Sequence, residues 1–121
     1  MITAAIYPNL FEKYVPFSYE SIADLIPHLV QGGWISVSDM KQGYYHVALR
    51  SELVRCICFE WRGVVWAYTT ICFGYASACR VFSAMTTAMY QPLRELGLPI
   101  SSYIDDRANV NTAQELSLIH I

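Results

Sequence analysis

Three aspartates in this sequence have the spacing from which a single acidic site could form. Asp39 follows an apolar stretch, and Asp105 and Asp106 are adjacent between two short stretches that favour strands. A tight turn can direct both carboxylates of an adjacent pair to one side, whereas successive side chains of a straight strand alternate between faces. If Asp39 lies beside that turn, the negative charges repel one another unless cations neutralise them.

Two Mg²⁺ ions would suit such a site, because Mg²⁺ prefers oxygen ligands and usually binds one or two carboxylates together with substrate phosphates. Two ions about 3.5–4 Å apart can activate an attacking oxygen and stabilise a leaving oxygen in phosphoryl transfer. The ordinary alternative is that Asp39 caps a helix and that Asp105 and Asp106 form a solvated turn. The aspartates alone leave both interpretations open.

Two helices are predicted around these aspartates. Apolar residues recur at helical spacing over residues 19–30, where Ser18 is the expected N-cap and Pro27 should kink the helix. A second, longer apolar stripe predicts a helix over residues 79–96. Residues 1–14 show no periodicity and are predicted to be irregular.

The remaining elements are predicted to be strands. They cover residues 34–38, 53–61, 64–68, 100–103 and 107–110. Arg62 and Gly63 are the turn of a hairpin, and alternation places Asp39 on the same face as Ile35 and Val37. This mixture of helices and strands predicts an α+β fold.

The composition bears on possible partners. The 121 residues are 55% hydrophobic and 15% charged, against roughly 25% charged residues in a typical soluble domain. The net charge is −2 and the basic residues are scattered, whereas a self-sufficient nucleic-acid-binding domain is expected to carry a basic face. If the chain handles nucleic acid, most of the phosphate-binding charge must come from elsewhere.

The cysteines and the apolar stretches favour an intracellular protein. Cys56, Cys58, Cys72 and Cys79 form no CxxC pair and are interpreted as buried thiols in a reducing compartment, in preference to a zinc site or a disulfide. The uncharged residues 63–79 are slightly short for a membrane span and favour a strand and turn. No signal peptide is evident. We therefore expect no membrane partner and a location in the cytoplasm or nucleus.

Three stretches in order resemble the motifs of reverse transcriptases. Residues 39–44, DMKQGY, resemble motif A, in which an aromatic residue follows the aspartate by five positions. Residues 73–78, FGYASA, resemble motif B, often written LPFGLSSAP, although Cys72 and Cys79 stand where that family often has proline. Residues 103–106, YIDD, match the YxDD box of motif C. Further short sequences, such as the GW at residues 33–34, look most like those of tyrosine-recombinase (DIRS-type) retrotransposons.

This resemblance implies an activity, RNA-directed DNA polymerase, with a role for each matched residue. Asp39, Asp105 and Asp106 would be catalytic and would hold two Mg²⁺ ions, for which Mn²⁺ could substitute, with help from the Met40 backbone. Tyr44 would act as a steric gate against ribonucleotides, unless it is simply a packed core aromatic. The predicted nucleotide-binding residues are Met40, Lys41, Gln42, Gly43, Tyr44, Phe73 and Gly74. Tyr103 and Ile104 would lie near the primer terminus.

The resemblance also implies a fold and partners. The fold would be a partial right-hand polymerase palm, an antiparallel sheet with helices packed on one face, forming one domain over residues 1–121 with the resemblance spanning 8–114. Template with primer, RNA or DNA, and deoxynucleoside triphosphates would be bound together with fingers, thumb and RNase H regions of a parent polyprotein. Residues 115–121 have no family counterpart and are either native or a sequence artefact.

Two other function classes stay open. The chain could be a non-enzymatic remnant that keeps the fold and serves as an interaction module. It could instead be another two-metal carboxylate enzyme, such as an RNase H-like nuclease, with Glu20 and Asp24 as acidic residues on an early helix. The YxDD box favours the polymerase interpretation over the nuclease.

Overall fold

A computed structural model describes residues 5–111 of the chain, which fall into two compact units. Unit 1 comprises Met1–Phe17 and Gln42–Phe82, and unit 2 comprises Ser18–Lys41 and Ser83–Ile121, each within the described range. The interpretation of residues 115–121 lies outside that range.

Unit 2 contains a three-stranded antiparallel sheet. Its strands are β1 (Trp34–Asp39), β4 (Ile100–Tyr103) and β5 (Asp106–Asn111), which lie in the order β1-β5-β4. The central strand is β5, which pairs along its length with β1, from Trp34 opposite Asn111 to Asp39 opposite Asp106. Strand β5 therefore pairs with β1 on one side and with β4 on the other.

Helical elements cover this sheet. Leu25, from the 3₁₀ helix Ile22–His28, packs with Ala108 and Val110 of β5 in a buried cluster. Arg107 projects to the opposite face, because side chains alternate along a strand, and its guanidinium lies 5.4 Å from the ring centre of Tyr90 in helix α3 (Ala78–Glu95). Burying a leucine or valine side chain stabilises a fold by roughly 1.5–3 kcal/mol, so this cluster fixes the 3₁₀ helix on the sheet.

Unit 1 contains a two-stranded hairpin and short helices. The elements are α1 (Ile6–Phe11), a 3₁₀ helix (Gly43–His46), α2 (Ser51–Val54), β2 (Cys58–Trp61) and β3 (Val64–Ala67). Arg62 and Gly63 connect β2 to β3, with φ angles of 53° and 75°. Positive φ at both positions is the pattern of a type I′ turn, which matches the twist of paired strands.

Much of the sequence-based description of the fold is confirmed. The α+β fold with an antiparallel sheet is present, and β1, β4, the hairpin at Arg62 and Gly63, and α3 lie within a residue or two of their predicted bounds. The return strand is longer than predicted, because β5 starts at Asp106 and continues to Asn111.

The helix predicted over residues 19–30 is wrong in type and start. A 3₁₀ helix forms at Ile22–His28, and its N-cap is Ser21 rather than Ser18. The Ser21 hydroxyl and the Asp24 carboxylate form a capping box that fixes this start. Pro27 lies inside the helix and has no N–H to donate, which disfavours a regular α-helix through this segment.

Two other predictions about local structure are wrong. Residues 6–11 of the predicted irregular segment form α1, and the strand predicted from residue 53 begins only at Cys58, after the helical turn α2. Both differences arise in short segments that carry too few residues for a periodic signal.

The burial of the cysteine side chains agrees only in part with the prediction. Cys72 is buried and Cys79 half-buried, but Cys56 and Cys58 are exposed, so the prediction of buried thiols is wrong for the latter pair. All four cysteines are free, and burial raises the pKa of the Cys72 thiol, partly offset by a backbone hydrogen bond.

Among the helices of residues 5–111, none combines the length and apolar character that spanning a bilayer requires.

Candidate functional site

The turn that carries Asp105 is strained. Tyr103 and Asp106 are the last paired residues of β4 and β5, so Ile104 and Asp105 form a two-residue hairpin loop. Ile104 has a φ of 54°. A positive φ is an outlier for a β-branched residue, and such strain persists only where the surrounding structure holds it in place.

The end of β1 lies directly against this turn. Asp39 is the register partner of Asp106, and the Met40 N–H donates a hydrogen bond of 2.8 Å to the carbonyl oxygen of Asp105. Side chains directly opposite in an antiparallel pair project to the same face, with Cβ atoms about 4.5–5.5 Å apart. The side chains of Asp39 and Asp106 therefore start from neighbouring positions on one face of β1 and β5.

Asp39 and Asp105 also line one cavity, of about 430 Å³, within unit 2. Its other walls come from Met40, from Arg107 and from the α3 helix. The guanidinium Nε of Arg107 is buried and has no hydrogen-bond partner. The residues that line this cavity thus include two acidic residues and one basic residue, types that can bind charged, oxygen-rich ligands.

The donor set suits Mg²⁺, but the predicted grouping of three carboxylates into one metal cluster is not formed. Within residues 5–111, no group of three or more His, Cys, Asp or Glu side chains is arranged to hold a metal ion. Asp105 lies in the loop and Asp106 is the first residue of β5. The side chains of adjacent residues at the start of a strand point in different directions. Asp39 paired with one further carboxylate still meets the need of Mg²⁺, which takes its remaining ligands from phosphates and water.

Tyr44 is a buried core residue of unit 1. It is 8% exposed, its hydroxyl lies 2.9 Å from the Cys79 sulfur, and its ring centre lies 5.0 Å from that of Phe73 and 5.2 Å from that of Phe82. The packing role considered for Tyr44 is therefore present. The gate role stays a prediction.

Gly43 allows this packing, because a Cβ atom at its position would lie 2.6 Å from Cζ of Phe82. The Phe82 side chain is fully buried and has little room to move away from an added methyl group. We expect Gly43→Ala to destabilise the chain by about 1–3 kcal/mol, the usual cost of overpacking a core. Urea denaturation measures this change in the free energy of unfolding.

Phe82→Leu supplies the control for that prediction, because it removes the ring atoms that the new methyl group would meet. In a double-mutant cycle, Gly43→Ala should cost much less in the Phe82→Leu background than in the native chain. Equal costs in the two backgrounds would show that the clash with Phe82 is not the cause.

The segment matching motif B is held by α1. The Asn9 side chain donates through Nδ2 to the Gly74 carbonyl (2.7 Å) and accepts through Oδ1 from the Ala76 N–H (2.8 Å). One amide therefore satisfies two backbone groups of this loop.

Glu12 makes the second connection to the same loop. Its carboxylate accepts hydrogen bonds from the Tyr75 hydroxyl, at 2.9 Å, and from the Ser77 hydroxyl. Burial raises the pKa of Tyr75, and the hydrogen bond to Glu12 and its negative charge raise it further, while Arg80 opposes the shift. Sequence reasoning missed Asn9 and Glu12, because contacts over 65 positions leave no local signal.

The predicted site residues divide between the two units. Unit 2 contains the predicted catalytic, metal-binding and primer-binding residues, namely Asp39, Met40, Tyr103, Ile104, Asp105 and Asp106, together with Lys41. Unit 1 contains the other predicted nucleotide-binding residues, namely Gln42, Gly43, Tyr44, Phe73 and Gly74. Within each unit, residues distant in sequence are brought into contact.

Comparison with solved structures identifies a reverse transcriptase-like fold. A foamy viral protease-reverse transcriptase, dRH, in complex with ds DNA matches 98% of this chain with a TM-score of 0.80 and 17% identity. A foamy viral protease-reverse transcriptase in complex with RNA/DNA hybrid matches 96% of it with a TM-score of 0.77 and 17% identity. The matched region is 20% and 16% of those longer chains. No protein-family model and no curated protein matches the sequence.

Proposed function

We propose that this chain is the catalytic palm segment of a reverse transcriptase, which adds deoxynucleotides to a primer on an RNA or DNA template. The observation that carries the proposal is the pairing of Asp39 with Asp106 and the hydrogen bond from Met40 to Asp105. These contacts join the stretch that resembles motif A to the YxDD turn. The likeness of the fold to foamy viral reverse transcriptases supports the same conclusion.

Asp39 and Asp105 would hold Mg²⁺ in this proposal, with Asp106 completing the acidic face and Mn²⁺ as a substitute cation. Such ions supply charge neutralisation at the reacting phosphate and activation of the attacking oxygen. The chain's own contribution is to hold these carboxylates at the end of β1 and on the turn between β4 and β5, so that the site needs little rearrangement when substrate arrives.

The remaining matched residues would bind the substrates. The backbone of residues 40–43 would contact the triphosphate, and Phe73 with Gly74 would contact the nascent base pair. Tyr44 would exclude the ribose 2′-hydroxyl, and Tyr103 would pack near the primer terminus. The amino-acid sequences in and around the motifs further favour a retrotransposon of the tyrosine-recombinase type as the source.

A titration with Mn²⁺ tests the metal site directly on the 121-residue chain, using the electron paramagnetic resonance signal of the free ion. We expect Asp105→Asn to weaken Mn²⁺ binding by at least about tenfold, because changes even to outer-shell partners of a metal cost about 10–100-fold in affinity. Glu95→Gln is the matched control, since Glu95 is an exposed carboxylate of the same unit whose side chain accepts a hydrogen bond from Gln91. Equal binding by Asp105→Asn and Glu95→Gln would refute the proposal.

One observation favours a second candidate, a non-enzymatic remnant that serves as an interaction module. It is that no group of three or more potential metal ligands forms among residues 5–111. The same titration separates the two candidates, because a remnant would bind Mn²⁺ no better than Asp105→Asn does. The nuclease alternative is weaker, because Glu20 is engaged in structural contacts with Arg94 and Ser102.

A further inference from the structure

Strand β4 leads into the turn that carries Asp105, and it is an edge strand. In the order β1-β5-β4, the strands of residues 5–111 give it a strand neighbour on one side only. Backbone groups on the free side of an edge strand need other partners. The turn itself is strained at Ile104, with a φ of 54°, so its conformation depends on how firmly β4 is held.

Residues 19–21, here called the β4 anchor, contact three consecutive residues of β4. The ring of Tyr19 lies 5.0 Å from that of Tyr103, between centres. The Glu20 carboxylate accepts a 2.8 Å hydrogen bond from the Ser102 N–H. The Ser21 carbonyl accepts a 2.9 Å hydrogen bond from the Ser101 hydroxyl. The anchor therefore contacts one backbone N–H and two side chains of β4.

Glu20 connects β4 to helix α3 as well. The same oxygen that accepts from Ser102 is 2.6 Å from Nη2 of Arg94, and the other carboxylate oxygen accepts from the Thr87 hydroxyl at 3.1 Å. Arg94 in turn donates through Nε to the Ile100 carbonyl at 3.1 Å. Charge-assisted hydrogen bonds of this kind are stronger than neutral ones and fix both partners.

The anchor is itself held in place. Ser21 is the N-cap of the 3₁₀ helix Ile22–His28, with a capping box closed by Asp24. Leu25 of that helix is buried against Ala108 and Val110 of β5. The anchor therefore connects two parts of unit 2 that are both packed, which is the arrangement by which outer-shell residues orient catalytic groups.

We propose that Tyr19 and Glu20 are positioning residues that hold β4 and thereby set the placement of Asp105 and Asp106. The consequence for metal binding rests on the function proposed above; the effect on the turn does not. Nothing in the motif pattern marks Tyr19 or Glu20, since they lie outside all three motifs. Their role follows from the contacts with Tyr103 and Ser102.

Two measurements on the 121-residue chain test this proposal. The first is the amide chemical shifts of Asp105 and Asp106 in the metal-free chain, recorded by NMR for Glu20→Ala, Tyr19→Ala and the control Glu95→Ala. We expect both anchor variants to shift these amides and the control to leave them in place. The second is Mn²⁺ affinity, which Glu20→Ala should lower about tenfold.

Glu20→Gln separates positioning from loss of structure. Its amide oxygen can still accept from the Ser102 N–H, although the ion pair with Arg94 is lost, so it should recover most of the Mn²⁺ affinity that Glu20→Ala loses. If Glu20→Ala does not fold, Tyr19→Ala still decides the matter through the two amide shifts, because it removes the ring contact with Tyr103.

The possible results separate a failure of the anchor proposal from a failure of the proposed function. Unchanged Asp105 and Asp106 amides in Glu20→Ala and Tyr19→Ala, with Mn²⁺ affinity at the native value, would overturn the anchor. Shifted amides together with Mn²⁺ binding that is insensitive to Asp105→Asn would support the anchor as a positioning device and overturn the metal site instead.

Discussion

Replacing Tyr44 with alanine should destabilise the chain by about 3–5 kcal/mol, the usual cost of truncating a buried aromatic side chain. The ring is 8% exposed and lies against Phe73 and Phe82, so its removal leaves a cavity lined by rings that cannot close it. Each aromatic pair of this geometry contributes about 0.5–1.5 kcal/mol beyond the area that it buries. Urea denaturation of the 121-residue chain measures the loss.

Tyr44→Phe and Cys79→Ala are the matched variants for this prediction. Both remove the contact of 2.9 Å between the Tyr44 hydroxyl and the Cys79 sulfur, and both keep the aromatic ring. We expect each to cost about 1 kcal/mol, the typical net contribution of one hydrogen bond. A loss below about 1 kcal/mol for Tyr44→Ala would contradict the core role that the structure gives this ring.

The packing of Tyr44 also determines how its predicted gate role can be tested. In a polymerase that contains this chain, Tyr44→Ala should admit ribonucleotides far more readily than Tyr44→Phe, because only the former empties the space that a ribose 2′-hydroxyl needs. The comparison requires a temperature at which both variants are folded. Equal discrimination under that condition would leave Tyr44 with a packing role alone.

The strands around the acidic turn could be predicted from sequence because their signals are local. Alternation over residues 34–38 and the short stretches around Asp105 identify three strands, and Asp39 at the end of one of them must lie near an edge of the sheet. Helix α3 is long enough for its apolar stripe to repeat, which is why its bounds were predicted within one residue.

The contacts that hold the candidate site could not be predicted in the same way. Asn9 and Gly74 are 65 positions apart, and Glu20 and Ser102 are 82 apart, so neither contact leaves a periodic or spacing signal. The choice of a 3₁₀ helix at Ile22–His28 depends on Pro27 together with burial of Leu25 on the sheet, and the latter is a tertiary effect. One local signal was available, namely the serine and aspartate of the capping box at Ser21 and Asp24.

The 121-residue chain alone should show no template-directed synthesis, even with Asp39, Asp105 and Asp106 intact. It spans 20% and 16% of the foamy viral chains that it resembles. Positioning of the reactants can supply about 7–11 kcal/mol of a reaction barrier, and a palm segment alone provides little of the grip on template, primer and triphosphate. The net charge of −2 weakens binding further, because phosphate backbones are held largely by Lys and Arg contacts.

A primer-extension assay with Mg²⁺ or Mn²⁺ measures this prediction, with Asp105→Asn as the control for contaminating polymerase. Because Trp61, Val65 and Trp66 of the unit 1 hairpin are more than half exposed, we also expect the chain to associate at high concentration, so the assay belongs in dilute solution. Extension by the native chain and not by Asp105→Asn would show that residues 1–121 suffice for synthesis, contrary to this prediction, and would assign the reaction to the acidic turn. Equal extension by both would trace the activity to another enzyme, whereas extension by neither is the expected result.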